Sequence, residues 1–123
     1  RYGDSSLLGD RHTLSTVGPL TAIPISTVSV GNYRLPWGGG GYFRAVPYRF
    51  FRWGLERSRS RAGYFIFYMH PWELDTGQPR VEGLSATRSF RHYVGIEKME
   101  ERLRHLLKDY DFVSVREGLS HLI

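Results

Sequence analysis

At 123 residues the chain has the length of one domain and can bury a real though modest core. It contains no cysteine, which excludes disulfides, thiolate metal sites and cysteine nucleophiles. Seventeen Lys and Arg against twelve Asp and Glu give a formal charge of +5, a surplus that favours anionic partners without selecting nucleic acid, membrane or acidic polysaccharide.

Taken in order, residues 1–18 carry Gly, Ser, Asp and Thr with little periodicity and read as an irregular lead-in. Leu20 to Val30 is rich in β-branched residues and predicts a strand, with Pro24 pushing it to an edge or a bulge. Gly31 to Gly41 is a loop ending in four successive glycines, which permit unusual backbone angles or a close approach to a ligand or another chain. No Lys-Ser or Lys-Thr follows them, so a phosphate cradle is not expected. Pro47 suits the first turn of a helix that ends near Ser60 to Gly63. Phe50 or Phe51, Trp53 or Gly54, and Leu55 recur at helical spacing, with Arg49, Arg52, Arg57 and Arg59 largely outside that stripe. Basic residues among aromatics have two readings, nucleic-acid binding or a solvated face whose Arg stems cover apolar surface. The second is favoured, because cations also suit a helix C-terminus.

The apolar run Gly63 to His70 predicts a strand covered on both faces in a parallel sheet, delivering His70, Pro71, Trp72, Glu73 and Asp75 to a rim. Sites in such folds lie at the carboxyl ends of strands, so His70 is the first candidate for chemistry. The alternative is a structural histidine bonded to a neighbouring carbonyl. Pro71 to Tyr93 reads as a long, functional loop holding Glu73, Asp75, Gln78-Pro79-Arg80, Arg88 and Arg91-His92-Tyr93. His70, Glu73 and His92 lack a recognisable metal-ligand spacing, so no metal is expected in this chain. Gly95 to Tyr110 is the clearest helix, with Ile96, Met99, Leu103, Leu106, Leu107 and Tyr110 on one side and acids preceding bases along it. A short strand at Phe112 to Val115 and a helical turn or two from Arg116 to Ile123 complete the order. Strand, helix, strand, helix, strand argues for an α/β fold with about three mostly parallel strands and two main helices. Exposed edges on such a sheet invite a homo-oligomer.

Aromatic residues make up 15% of the chain, which suits a dense core or a cleft facing carbohydrate. No apolar run is long enough to span a bilayer, so no membrane segment is expected. The sequence starts at Arg1 rather than Met and shows no secretory signal, so a fragment of a longer protein is expected, with a cytoplasmic location favoured.

Gly39-Gly40-Gly41-Tyr42-Phe43-Arg44, Pro47-Tyr48, Phe67-Tyr68-Met69-His70-Pro71-Trp72-Glu73, Gln78-Pro79-Arg80 and Phe90-Arg91-His92-Tyr93 follow one another in a telling order. Together they resemble the C-terminal part of bacterial polysaccharide deacetylases, in the subfamily found with exopolysaccharide and exosortase gene clusters. The resemblance runs from about Ile23 onward. It implies part of a deformed (β/α) barrel and metal-dependent removal of N- or O-acetyl groups from a sugar polymer. In that family a divalent metal, usually zinc, is held by an Asp and two His and activates water. An Asp acts as base and a late-strand His as acid. His70 is similar to that acid, although the family's Leu-x-His reads Tyr68-Met69-His70 here. Asp4 in Asp4-Ser5-Ser6 is similar to a short acidic motif ahead of this region.

The family's Asp-Asp and paired-His motifs precede this region and have no counterpart in the 123 residues. The resemblance therefore implies a chain that supplies His70 as general acid and Trp37, Gly40, Tyr42, Arg44, Trp72 and Glu73 toward a polysaccharide groove. It would hold no cofactor of its own, depend on the N-terminal catalytic half of the same protein for the metal, and be inactive alone. A competing expectation is a non-catalytic basic module that binds acidic glycan or nucleic acid through Arg44, Arg49, Arg52, Arg57, Arg59 and Arg61. A third is an accessory domain that mediates assembly.

Overall fold

The structure, a computed structural model, describes residues 14–122. Its first third is shaped by two tight turns. Strands β1 (Ser15–Val17) and β2 (Leu20–Ala22) pair antiparallel around Gly18-Pro19. Gly18 has φ 59 and Pro19 is held negative by its ring, which is the type II′ pattern that matches the twist of a hairpin. Strands β3 (Val28–Val30) and β4 (Tyr33–Leu35) pair in the same way around Gly31-Asn32, with Gly31 at φ 58. The expected single strand over Leu20 to Val30 is thus split. The stretch 23–27, which contains Pro24, is irregular and separates two hairpins. The lead-in is not irregular throughout either, since Ser15–Val17 is a strand.

Five helices follow: α1 (Gly40–Ala45), α2 (Tyr48–Ala62), α3 (Ala86–Tyr93), α4 (Met99–Asp109) and α5 (Val115–Leu122), with single 3-10 turns at Pro71–Leu74 and Ile96–Lys98. α2 lies where its periodicity puts it. Pro47 stands just before its first residue, and Gly63 ends it in the left-handed region at φ 80, its N–H donating to the Arg59 carbonyl at 2.8 Å. α4 also follows its pattern, with Met99 and Leu106 buried and the preceding turn tightened to 3-10.

The core gathers Val28, Trp37, Phe43, Phe51, Leu55, Met99 and Leu106. Phe43 meets Phe51 and Phe67 edge-on, with ring centroids 4.7 and 5.0 Å apart. Burying each ring stabilises the fold by about 1.5–3 kcal/mol, and each edge-to-face pair adds about 0.5–1.5 kcal/mol.

The stretch from Gly63 to His70 departs from expectation. It is extended but not a sheet strand, and no residue in it is fully buried. Its ladder is one parallel bridge, Gly39 to Tyr68, with the Tyr68 N–H donating to Gly38 O and the Gly40 N–H to Tyr68 O, both at 3.0 Å. Ile66 N–H donates instead to the Ser26 hydroxyl at 2.8 Å. Phe65, Phe67 and Met69 pack on the core from one side. An unbroken apolar run therefore marks a segment with one face on the core and the other partly covered. Phe112 and Val113 are exposed and form no strand. Among the described residues the two sheets are antiparallel hairpins, so the mostly parallel sheet is not formed and only a mixed helix-and-strand architecture holds.

Candidate functional site

The run of four glycines draws three segments together. None has a positive φ, so their use is proximity. An added Cβ would strike the Ile66 carbonyl at Gly38, the Tyr68 ring at Gly39 and the Glu73 carboxylate at Gly40, whereas Gly41 faces open space. The start of α1 is thereby pressed against residues 66–73, and Arg44, one turn further on, lands beside Glu73.

Arg44 is only 3% exposed. Its Nε donates to Glu73 Oε2 at 2.7 Å, Nη1 to the carbonyls of His92 and Val94 at 3.0 and 2.6 Å, and Nη2 to that of Arg91 at 3.4 Å. The last turn of a helix leaves its carbonyls unpaired and partly negative, and a buried guanidinium satisfies both conditions. Arg102 of α4 does the same for α1, donating from Nη1 to the carbonyls of Phe43, Arg44 and Val46 at 2.7, 2.9 and 2.8 Å.

Glu73 is 2% exposed and divides its oxygens. Oε2 takes Arg44, while Oε1 accepts from the His70 backbone N–H at 2.9 Å and lies 3.2 Å from the His70 Nδ1. Burial pushes the Glu73 carboxyl up, but the His70 N–H, the Arg44 guanidinium and the His70 ring outweigh it and hold the group below the ordinary carboxylate range. An ionised carboxylate only accepts, which assigns the ring proton of His70 to Nδ1 and leaves Nε2 without a partner among the described residues. The His70 side chain is 62% exposed. An imidazole fixed in one tautomer by a buried carboxylate and open to solvent is equipped for proton transfer.

Trp72 stacks on His92 with ring centroids 4.3 Å apart and planes 8° from parallel, and the Arg44 guanidinium lies over it at 5.3 Å. Gln78 locks the pair. Its Nε2 donates to the Trp72 and Asp75 carbonyls, both at 2.9 Å, which turns Oε1 to accept from His92 Nε2 at 3.0 Å. The Tyr93 hydroxyl accepts from Val81 N–H at 2.8 Å, with Arg80 over its ring at 4.9 Å. Gln78-Pro79-Arg80 and Arg91-His92-Tyr93 are thus two halves of one clasp. The expected long loop from Pro71 to Tyr93 correspondingly contains a 3-10 turn and α3, whose N-cap Ser85 hydroxyl accepts from Arg88 N–H at 3.4 Å.

A pocket of about 450 Å³ gathers His70, Gly40, Tyr42, Arg44, Trp72 and Glu73. Trp37 does not reach it. That side chain is 6% exposed in the core, its Nε1 donates to the Phe51 carbonyl at 3.0 Å, and Gly54 leaves room for the indole. Gly40 and Glu73 serve the pocket as packing and orienting groups, since each is taken up by contacts within the chain. Tyr68, Arg88 and Arg91 also line the pocket and were not singled out from the sequence as site residues. Tyr68 lies two residues before His70 in an extended segment, on the same side. Arg88 and Arg91 stand three apart after an N-cap serine, a spacing that puts them on one helix face.

Of the arginines expected on a basic surface, Arg44 is buried. Arg52 lies 3.4 Å from Asp109 and Arg59 lies 3.4 Å from Glu56. Arg49 and Arg57 lie over Phe50 and Trp53 at 5.1 and 5.7 Å. Among the described residues no group of three or more His, Cys, Asp or Glu is placed to hold a metal ion, and no helix is long and apolar enough to cross a membrane. Asp4 lies outside the described residues.

A family model described as Domain of unknown function (DUF3473) matches residues 1–120. No curated protein and no solved structure matches the chain.

Proposed function

The chain belongs to the DUF3473 family, and from the geometry of its site we propose that it is the acid-bearing C-terminal part of a metal-dependent polysaccharide deacetylase. One observation carries the reading. His70 is tied through Nδ1 to a buried Glu73 whose carboxyl the His70 N–H and Arg44 hold below the ordinary range, and it stands at a pocket with Nε2 unpartnered among the described residues. Removing an acetyl group requires a proton for the departing sugar nitrogen or oxygen. A protonated His70 offers that proton from Nε2 as the bond to the acetyl carbon breaks, and returns to neutral imidazole. Glu73 meanwhile holds the ring in orientation and offsets its charge.

The divalent metal of this reading does not fit the described residues. Glu73 commits both oxygens to Arg44 and His70, and His92 commits Nε2 to Gln78. On this reading metal ligands and base come from the N-terminal catalytic half, and the chain alone is inactive. In the full-length protein, His70→Ala should lower turnover of an acetylated polysaccharide about 10²- to 10⁴-fold with metal content unchanged. Near-normal turnover sinks the assignment, as does metal-dependent esterase activity in the isolated chain.

A second reading, a basic module for acidic glycan or nucleic acid, rests on the outer face of α2, where Arg49 and Arg57 flank the exposed Phe50 and Trp53. Binding that falls steeply with salt and is lost in Arg49→Gln/Arg57→Gln would favour it.

A further inference from the structure

The pocket beside His70 carries charge that deacetylation does not use. Its walls hold three arginines and a single carboxylate. Arg44 and Glu73 are buried and neutralise each other at 2.7 Å. Arg88 and Arg91 have exposed side chains and make no ion pair among the described residues. Their helix, Ala86–Tyr93, contains no acidic residue. Two uncompensated guanidinium groups on one helix face at a concave wall concentrate positive potential there. A guanidinium fork also matches a carboxylate in shape.

The helix that carries them is held firmly. Ser85 caps its start, and Arg44 binds the carbonyls of Arg91, His92 and Val94 at its end. The guanidinium that fixes the carboxylate behind His70 therefore also fixes the helix presenting Arg88 and Arg91. The geometry points to an acidic sugar as the ligand of this pocket: Arg88 and Arg91 take the carboxylate of a uronate unit in the polymer that His70 faces. This rests on the reading of His70 as a glycan-facing acid. Nucleic acid suits the pocket less well, because single-strand binding relies on free ring faces. Trp72 already stacks on His92, and Tyr42 on Trp37 at 5.5 Å.

The experiment is calorimetric titration of the chain, at low ionic strength, with oligogalacturonate, a neutral chitin oligomer and oligothymidylate. Oligogalacturonate should bind, and Arg88→Gln/Arg91→Gln should weaken it at least tenfold, as expected for losing charge-assisted hydrogen bonds. The neutral oligomer should be indifferent to that change. Arg104→Gln/Lys108→Gln removes the same charge from α4, outside the pocket lining, and should leave oligogalacturonate affinity within about twofold. No binding of oligogalacturonate, or an equal loss in the α4 variant, overturns the inference. So does oligothymidylate binding with the same dependence on Arg88 and Arg91. Because the readout is binding, its failure leaves the turnover test of His70 standing, and failure of the turnover test leaves this binding result intact.

Discussion

Replacing Arg44 with Met tests whether charge pairing holds the site together. The substitution keeps a long side chain in the space but leaves the Glu73 carboxylate, 2% exposed, without its ion-pair partner. It also strips the carbonyls of Arg91, His92 and Val94 of a donor. Breaking a buried pair from one side costs about 3–5 kcal/mol, most of it the cost of an uncompensated buried charge. With a urea slope of about 2 kcal/mol per molar, the unfolding midpoint followed by circular dichroism should fall by about 2 M. The decisive comparison is Arg44→Met/Glu73→Gln, which removes the charge as well as its partner. It should recover at least about 1.5 kcal/mol relative to Arg44→Met alone, the non-additivity expected of contacting residues. A loss below about 1 kcal/mol for the single variant, or a double variant no more stable than it, would refute the pairing argument.

Two further outcomes follow from the same contacts. The Glu73 carboxyl sits below its ordinary value in the folded chain, so the stability it contributes is complete above about pH 4.3 and drains as pH falls through the lower folded-state value. Glu73→Gln should flatten that acid limb of the pH–stability curve, and an unchanged limb would show that other carboxylates set it. Gly40→Ala places a methyl group against the Glu73 carboxylate and should destabilise by about 1–3 kcal/mol, the usual range for overpacking. Gly41→Ala meets open space in the same helix and should be neutral or stabilising by up to about 1 kcal/mol. Equal melting temperatures for the two variants would remove the close-packing account of the glycine run.

Where the sequence spoke through local rules, it was legible. α2 and α4 have the length, periodicity and end signals, Pro47 and Gly63 among them, that a helix states along its own chain. His70, Trp72 and Glu73 could be grouped from the sequence because they fall within one short turn, and Gly40 near them because the glycine run announces a close approach. What failed depended on partners far away in sequence. An apolar run looks alike whether both faces are covered or only one, so Gly63 to His70 read as a buried strand. Trp37 was expected at a groove and lies in the core, whereas Arg44 lines the pocket but is buried against Glu73. Whether such a side chain turns inward is decided by an acceptor such as the Phe51 carbonyl or Glu73, at a separation no local pattern encodes. α3 was missed because it is only eight residues long and lies inside a stretch read as one long loop, although Ser85 marks its start and Ala86, Phe90 and Tyr93 recur at helical spacing.

The two arginine clamps also say when, during folding, the pocket comes into being. α1 has six residues and α3 has eight, both below the roughly 12–15 at which an isolated helix persists in water. Each is completed by a guanidinium 47 to 59 residues away in sequence. Neither helix is therefore a local nucleus, and a loop of that length must close before either gains its terminal hydrogen bonds. The carboxylate that orients His70 depends on one of these clamps and the helix bearing Arg88 and Arg91 on the same one. The site consequently assembles as part of the global transition and is lost with it, rather than fraying one group at a time.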